Sequence, residues 1–156
     1  MTATADDRHA AAGQTPPPAG GPRPGIALVR RHGDTLYASG QTAVGPDGTL
    51  VASGRVGADV DLETARACAW QCAANVVGAV KDEIGSLDKI AQVTKVTVFV
   101  ASTPDFVDQH LVADATTSYF REVFGDGIGH HARAALGVAV LPTGSPVEVE
   151  AVFQLA

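Results

Sequence analysis

The sequence predicts an α+β domain in which a mixed β-sheet carries two helices on one face. Three observations carry that prediction. Apolar residues recur at three-and-four spacing from Leu62 to Val80, the mark of one helical face. They alternate strictly from Val147 to Leu155, the mark of a strand with one buried face. Between and before these segments, strand and helix patterns interleave as β-β-(β)-α-β-α-β-β. The 156 residues are 46% hydrophobic and 18% charged, which supplies one core and excludes a disordered chain. No apolar run approaches the roughly 20 residues of a bilayer span, so no membrane partner is expected.

Five of the nine prolines lie in residues 1–24, most of them in TPPPAGGPRPG. That composition resists helix and core, so residues 1–24 are expected to form a flexible Pro/Gly-rich tail and residues 25–156 the folded domain. Residues 26–31 and 35–39 flank His32-Gly33-Asp34 and read as a hairpin. Gly45-Pro46-Asp47-Gly48 is a second turn, leading to a short strand near residues 49–52. Asp61 is placed to cap the first long helix, Glu63 suits its first turn, and Gly85 stops it. Residues 93–100, β-branched apart from Lys95 and Phe99, form a strand. Thr103-Pro104-Asp105 supplies a cap, a proline at the first position and a first-turn acid, so a second helix is expected from there to about Phe124, closed by Gly125. Two strands, near 133–140 and at 147–155, complete the chain around Leu141-Pro142-Thr143-Gly144-Ser145-Pro146.

In the first of these two strands Arg133, Ala135, Gly137 and Ala139 share a face. Such small residues imply that something packs closely there, and a neighbouring subunit is the economical choice because a two-layer domain leaves one sheet face bare. In the last strand Val147, Val149, Ala151, Phe153 and Leu155 should meet the helices, while Glu148, Glu150, Val152 and Gln154 point away.

Eleven Lys+Arg against seventeen Asp+Glu leave a net charge of −6, the wrong sign for a nucleic-acid partner, and no basic-aromatic stripe occurs. Cys68 and Cys72, the only cysteines, lie one helical turn apart and read as core packing in a reduced compartment. The first residues lack the apolar stretch of a secretory signal, so a cytoplasmic protein is expected. His130 and His131 are adjacent, diverge, and lack a third ligand at metal spacing, so no metal is expected. No P-loop or dinucleotide fingerprint is present. Ser39-Gly40-Gln41 at a strand end offers a hydroxyl and backbone N–H groups to a ligand or to a turn, and is not a nucleophile elbow.

Arg133 is the only Lys or Arg in the last 35 positions and opens a strand of Ala, Leu, Gly and Val. A guanidinium there suits a ligand carboxylate through two parallel hydrogen bonds, or a structural ion pair with Glu148 or Glu150. A carboxylate on a partly buried sheet face, such as Glu148, suits the placing or deprotonation of a water, or an interface ion pair. If the last two strands formed an antiparallel hairpin, Glu148 would lie roughly 20 Å from Arg133, and a shared site would require two subunits.

Several segments together resemble the Rid family (RidA/YjgF). They are Leu36-Tyr37-Ala38-Ser39-Gly40-Gln41, the helix from Asp61, Lys95-Val96-Thr97-Val98-Phe99-Val100, Thr103-Pro104-Asp105-Phe106, Ala132-Arg133-Ala134-Ala135 leading to Leu141-Pro142, and Val147-Glu148-Val149-Glu150-Ala151. The resemblance spans residues 35–156 in order. It implies a chorismate-mutase-like fold and a homotrimer with clefts between subunits. It further implies cofactor-free hydrolysis of enamines and imines such as 2-aminoacrylate to a 2-keto acid and ammonia. Carried over by position, Arg133 would bind the substrate carboxylate and Glu148 would orient the attacking water. Ser39, Gly40 and the backbone at Ala135 would line the cleft. The family's usual cleft tyrosine would fall on Ile26, and Ala134 and Ala135 stand where Ser/Thr and Cys are common. His110 or His131 is the expected polar replacement for the tyrosine. The alternatives are a protein that binds and steers an imine intermediate, by tautomerisation or condensation, and a non-catalytic ligand-binding trimer.

Overall fold

The alternation at the end of the chain is what the sheet is built around. In the computed structural model, which describes residues 2–13, 15 and 25–156, the strand β5 (Val147–Leu155) is central rather than terminal in the sheet. The other strands are β1 (Val29–His32), β2 (Thr35–Thr42), β3 (Ile90–Ala101) and β4 (Ala132–Val138), in the order β1-β2-β5-β3-β4. All neighbours are antiparallel except β3 and β4, which run parallel. The mixed sheet of the sequence reading is therefore present, with β1 and β2 joined through a turn at Gly33, whose φ is 58°.

Val147, Val149, Ala151 and Phe153 are buried against the helices, as the alternation requires. Helix α2 (Leu62–Ile84) begins where Asp61 accepts a hydrogen bond from the Thr64 N–H at 2.8 Å and ends at left-handed Gly85. Its Cys68 and Cys72 are free and buried among core residues. Burial pushes the Cys68 thiol up to about 11 and holds Cys72 well above the ordinary thiol range, so neither is a nucleophile at neutral pH. Helix α3 (Gln109–Ile128) packs beside α2 on the same face, and both lie on the apolar side of the sheet.

Several expectations are corrected. Residues 103–106 form a turn closed by Phe106 N–H to Thr103 O, and the second long helix begins later, after Asp108. Gly125 does break the regular helix, with non-helical φ 77° and ψ 171°, but a further turn continues beyond it to Ile128. Near residues 49–52 there is a single bridge, Val44 to Leu50, in place of a strand. The last two strands do not pair: β5 crosses back between β2 and β3, which leaves β4 on the sheet edge.

The tail expectation also changes for residues 4–13. Ala5–Ala12 forms helix α1, started by a Thr4–Asp7 capping box. The helix docks on the main body: Asp6 accepts from Ser86 Oγ at 2.7 Å and pairs with Lys81 at 3.2 Å, while Trp70 donates to Ala12 O at 3.0 Å. The proline run at 16–24 lies outside the described residues.

Candidate functional site

The register across the sheet decides which predicted residues can meet. Arg133 pairs with Val96, and Val96 pairs with Ala151, so Arg133 projects from the helix-bearing face. Glu148 lies three residues from Ala151 and pairs with Phe99, which puts it on the opposite, open face. Two strands across and three residues along separate their Cα positions by roughly 14 Å. Within one chain Arg133 and Glu148 do not share a site, although the reason is the sheet order and not a hairpin.

The small-residue face of β4 has part of its explanation here as well. Ala135 packs into the core, and a Cβ on Gly137 would stand 2.9 Å from both Gln109 Nε2 and Ser102 Oγ. The chain's own α3 thus reaches part of that face through Gln109, while Gly137 and Ala139 stay exposed at its outer end. The uncovered face is the other one, where exposed Tyr37, Lys95, Leu136 and Glu150 accompany half-buried Thr97, Phe99 and Val152.

Around Arg133 the chain builds a directed set of hydrogen bonds. Its Nη1 donates to Asp114 Oδ1 at 2.9 Å and to Thr117 Oγ1 at 3.1 Å, both on α3. His131 Nε2 lies 3.1 Å from the same Thr117 hydroxyl, and its Nδ1 lies 2.6 Å from Gly129 O. A carbonyl only accepts, so Nδ1 carries the ring proton and Nε2 of the neutral imidazole accepts from Thr117. Burial is the main influence holding His131 below the usual histidine range, with Arg133 and His130 acting in the same direction. The Arg133 side chain is 25% exposed, and among the described residues its second terminal nitrogen makes no hydrogen bond. It opens on a groove of about 450 Å³ lined by Thr117, Arg121, Asp126, His130 and His131 as well.

Glu148 has the opposite setting. Burial, then the neighbouring Glu150, raises its carboxyl above the usual range. No cation among the described residues forms an ion pair with it. Beside it, β2 carries a bulge between Ala38 and Gln41, which contains Ser39 and Gly40. The Glu148 carboxylate lies over Gly40 so closely that a Cβ there would stand 2.0 Å from Oε1. The Ser39 hydroxyl donates to Ala27 O at 2.6 Å, so it ties down the segment before β1. Ser39, Gly40 and Glu148 thus form one group, and Arg133, His131 and Ala135 another. His110 is exposed in the first turn of α3, on the same helical stripe as Asp114, Thr117 and Arg121. Ile26, at the tyrosine position, is 62% exposed.

Sequence reading missed Asp114, Thr117 and Arg121. Their signal is a polar stripe at 110, 114, 117 and 121 opposite the apolar face of α3, visible only once the helix is known to lean on β4. Among the described residues no group of three or more His, Cys, Asp or Glu is placed to hold a metal ion. Nor is any helix there long and apolar enough to cross a membrane.

The Endoribonuclease L-PSP family model matches residues 26–154. Protein TCP17 of Trypanosoma cruzi is 39% identical over 123 residues, 79% of this chain and 76% of that protein. The crystal structure of Agrobacterium tumefaciens Atu1372, a protein of unknown function, superposes with a TM-score of 0.87 at 37% identity, covering 97% of this chain and 92% of that one. The YjgF gene product of E. coli superposes with a TM-score of 0.60 at 27% identity, over 92% and 96% of the two chains. Membership supports a small-molecule-binding role, and the match over most of the chain, with these likenesses in fold, shows that the protein belongs to the Rid/YjgF family, described by its sequence model as Endoribonuclease L-PSP.

Proposed function

We propose that the protein hydrolyses a carboxylate-bearing imine or enamine, of the 2-aminoacrylate class, to a 2-oxo acid and ammonia. The observation that carries this reading is the held guanidinium of Arg133, with one edge fixed by Asp114 and Thr117 and the other turned to an open groove. That edge is shaped for a carboxylate. The uncovered sheet face and the edge position of β4 support a homotrimer in which the Glu148 group of one copy completes the Arg133 groove of the next.

The chemistry asks for proton placement and little else. An enamine first tautomerises to the imine, whose C=N carbon is electrophilic when the nitrogen is protonated. Glu148, with its raised affinity for a proton, takes one from a water as the oxygen bonds to that carbon and the C=N π pair moves to nitrogen. The resulting carbinolamine accepts that proton back on nitrogen, the C–N bond breaks as the hydroxyl oxygen forms C=O, and the hydroxyl proton passes to Glu148, which releases ammonia and the 2-oxo acid. Water and imine are consumed and 2-oxo acid and ammonia formed, with no redox change and no cofactor.

A second reading is binding without hydrolysis, or steering of the intermediate to another reaction. It is favoured by Ala134, Ala135 and Ile26 at positions where the family resemblance leads one to expect polar side chains.

The test is a coupled assay in which an amino-acid lyase or oxidase generates 2-aminoacrylate and other 2-imino acids in situ. Wild type should accelerate 2-oxo acid release, and Arg133→Ala should lose about 100-fold in kcat/KM, the loss expected for a charge-assisted bidentate contact. Failure of wild type to accelerate any imino acid would overturn the hydrolase reading in favour of binding.

A further inference from the structure

We propose that the Arg133 groove is built for a ligand with two anionic ends, a 2-imino or 2-oxo dicarboxylate, with Arg121 taking the distal carboxylate. This rests on Arg133 as the anchor for the first carboxylate and names the substrate class of the same site.

Size is the first argument. 2-Aminoacrylate would occupy on the order of 100 Å³, about three waters' worth. The groove holds about 450 Å³, in the range of ligands several times larger. Charge is the second. Beyond Arg133 the groove carries a second guanidinium, Arg121, against the single acid Asp126, and the imidazoles of His130 and His131 add ring nitrogens to its lining.

Spacing is the third. Thr117, which fixes Arg133, and Arg121 lie four residues apart on α3, or roughly 6 Å along the axis. The carboxylate carbons of a four- to five-carbon diacid are separated by roughly 4–5 Å, a span that the flexible Arg121 side chain covers by leaning toward Arg133. The fourth argument is availability. Among the described residues Arg121 pairs with Asp126 alone, through Nε at 2.7 Å and Nη2, and the two side chains are 57% and 80% exposed. So exposed a pair contributes little and exchanges readily for a ligand carboxylate. Arg133, at 25% exposure and fixed by two groups, is the permanent anchor, while Arg121 is the exchangeable one.

The experiment is calorimetric titration of the full-length protein with pyruvate and with 2-oxoglutarate at low and high ionic strength. 2-Oxoglutarate should bind about fivefold more tightly at low salt, an advantage that shrinks as salt is added. Arg121→Ala should abolish the preference without weakening pyruvate. Asp126→Asn, which frees Arg121, should enlarge it. Equal affinities unaffected by Arg121→Ala would overturn the dianion proposal and leave Arg133 as anchor. No binding of either ligand, or binding unchanged by Arg133→Ala, would overturn the reading of the groove itself.

Discussion

Arg133 and Glu148 are both charged, both half-buried, and only two strands apart in the sheet, yet the chain treats them differently. Arg133 is held by Asp114 and Thr117, and Thr117 is in turn fixed by His131, so its orientation is settled before any ligand arrives. Glu148 is desolvated, Glu150 pushes it in the same direction, and no cation among the described residues forms an ion pair with it. The first arrangement favours binding, because a positioned cation loses little freedom on meeting a carboxylate. The second favours proton transfer, because a carboxylate pushed up by burial is a stronger base than an ordinary one. One group is positioned by its own chain and the other is not, a difference that fits the proposed division of the site between copies.

The largest way to break this contrast is Glu148→Gln. If Glu148 is the base, kcat should fall by about 10²-fold or more while the Kd for pyruvate stays unchanged. Turnover in wild type should fall as pH drops through the raised carboxyl range, above the usual glutamate value, and that acid limb should vanish in the variant. Stability should move the other way. A carboxyl whose folded affinity for protons is raised costs stability when ionised, at pH above its folded value, and the cost is relieved as pH falls through that value. Glu148→Gln should therefore be at least as stable as wild type at pH 7, with the difference closing in acid. A kcat unchanged by the substitution would leave only the binding reading.

Gly40→Ala sharpens the same contrast with a smaller effect. The new methyl would occupy the place of Glu148 Oε1, with Cδ at 2.9 Å and Cγ at 3.2 Å. The far end of a glutamate can rotate aside at little cost, so Tm should change by no more than a few degrees. The carboxylate would be misplaced by an ångström or more, and kcat should drop about tenfold. The Arg133 group lies on the other face of the sheet, so pyruvate affinity should stay within twofold. A parallel loss of affinity would show that the two groups are already coupled within one chain.

How much of this was legible in the sequence depended on whether the signal was periodic or spatial. The α2 boundaries, the alternation of β5 and its inward set were readable because burial imposes a period on residue type. Ser39, Gly40, Glu148, Arg133, His131 and Ala135 were also nameable one by one through the resemblance, whereas Asp114, Thr117 and Arg121 were not. The placement of the two groups was not legible. Whether a strand after a turn pairs with its predecessor is set by crossover geometry, and the return of β5 between β2 and β3 leaves no local mark. The same holds for Ala135 and Gly137: small residues record close packing and not the identity of the packer, here α3. Helix α1 did leave a local mark, the Thr4 to Asp7 capping box, but the proline run that follows masked it.

That helix allows the smallest prediction, which asks whether the back of α3 affects its front. His9 is buried, and its Nδ1 lies 2.6 Å from the hydroxyl of buried Tyr119, which in turn meets Trp70 edge-on at 4.9 Å between centroids. Tyr119 points from α3 toward α1, while Thr117, two residues earlier, points toward Arg133. His9→Ala would orphan the Tyr119 hydroxyl and should cost about 1–3 kcal/mol, with Tm lower by about 2–4 °C for each kcal/mol. His9→Ala combined with Tyr119→Phe removes the orphan and should recover part of the loss. Burial, followed by Lys81, lowers the His9 pKa, so the folded state binds the proton less well than the unfolded chain. The contribution is whole above the ordinary histidine range and is lost as pH falls below it, so the His9→Ala deficit should narrow in acid. Turnover and pyruvate affinity should not change in either variant at a temperature where both are folded. A shift in kcat there would mean that α1, through Tyr119, sets the position of Thr117 and with it the guanidinium of Arg133.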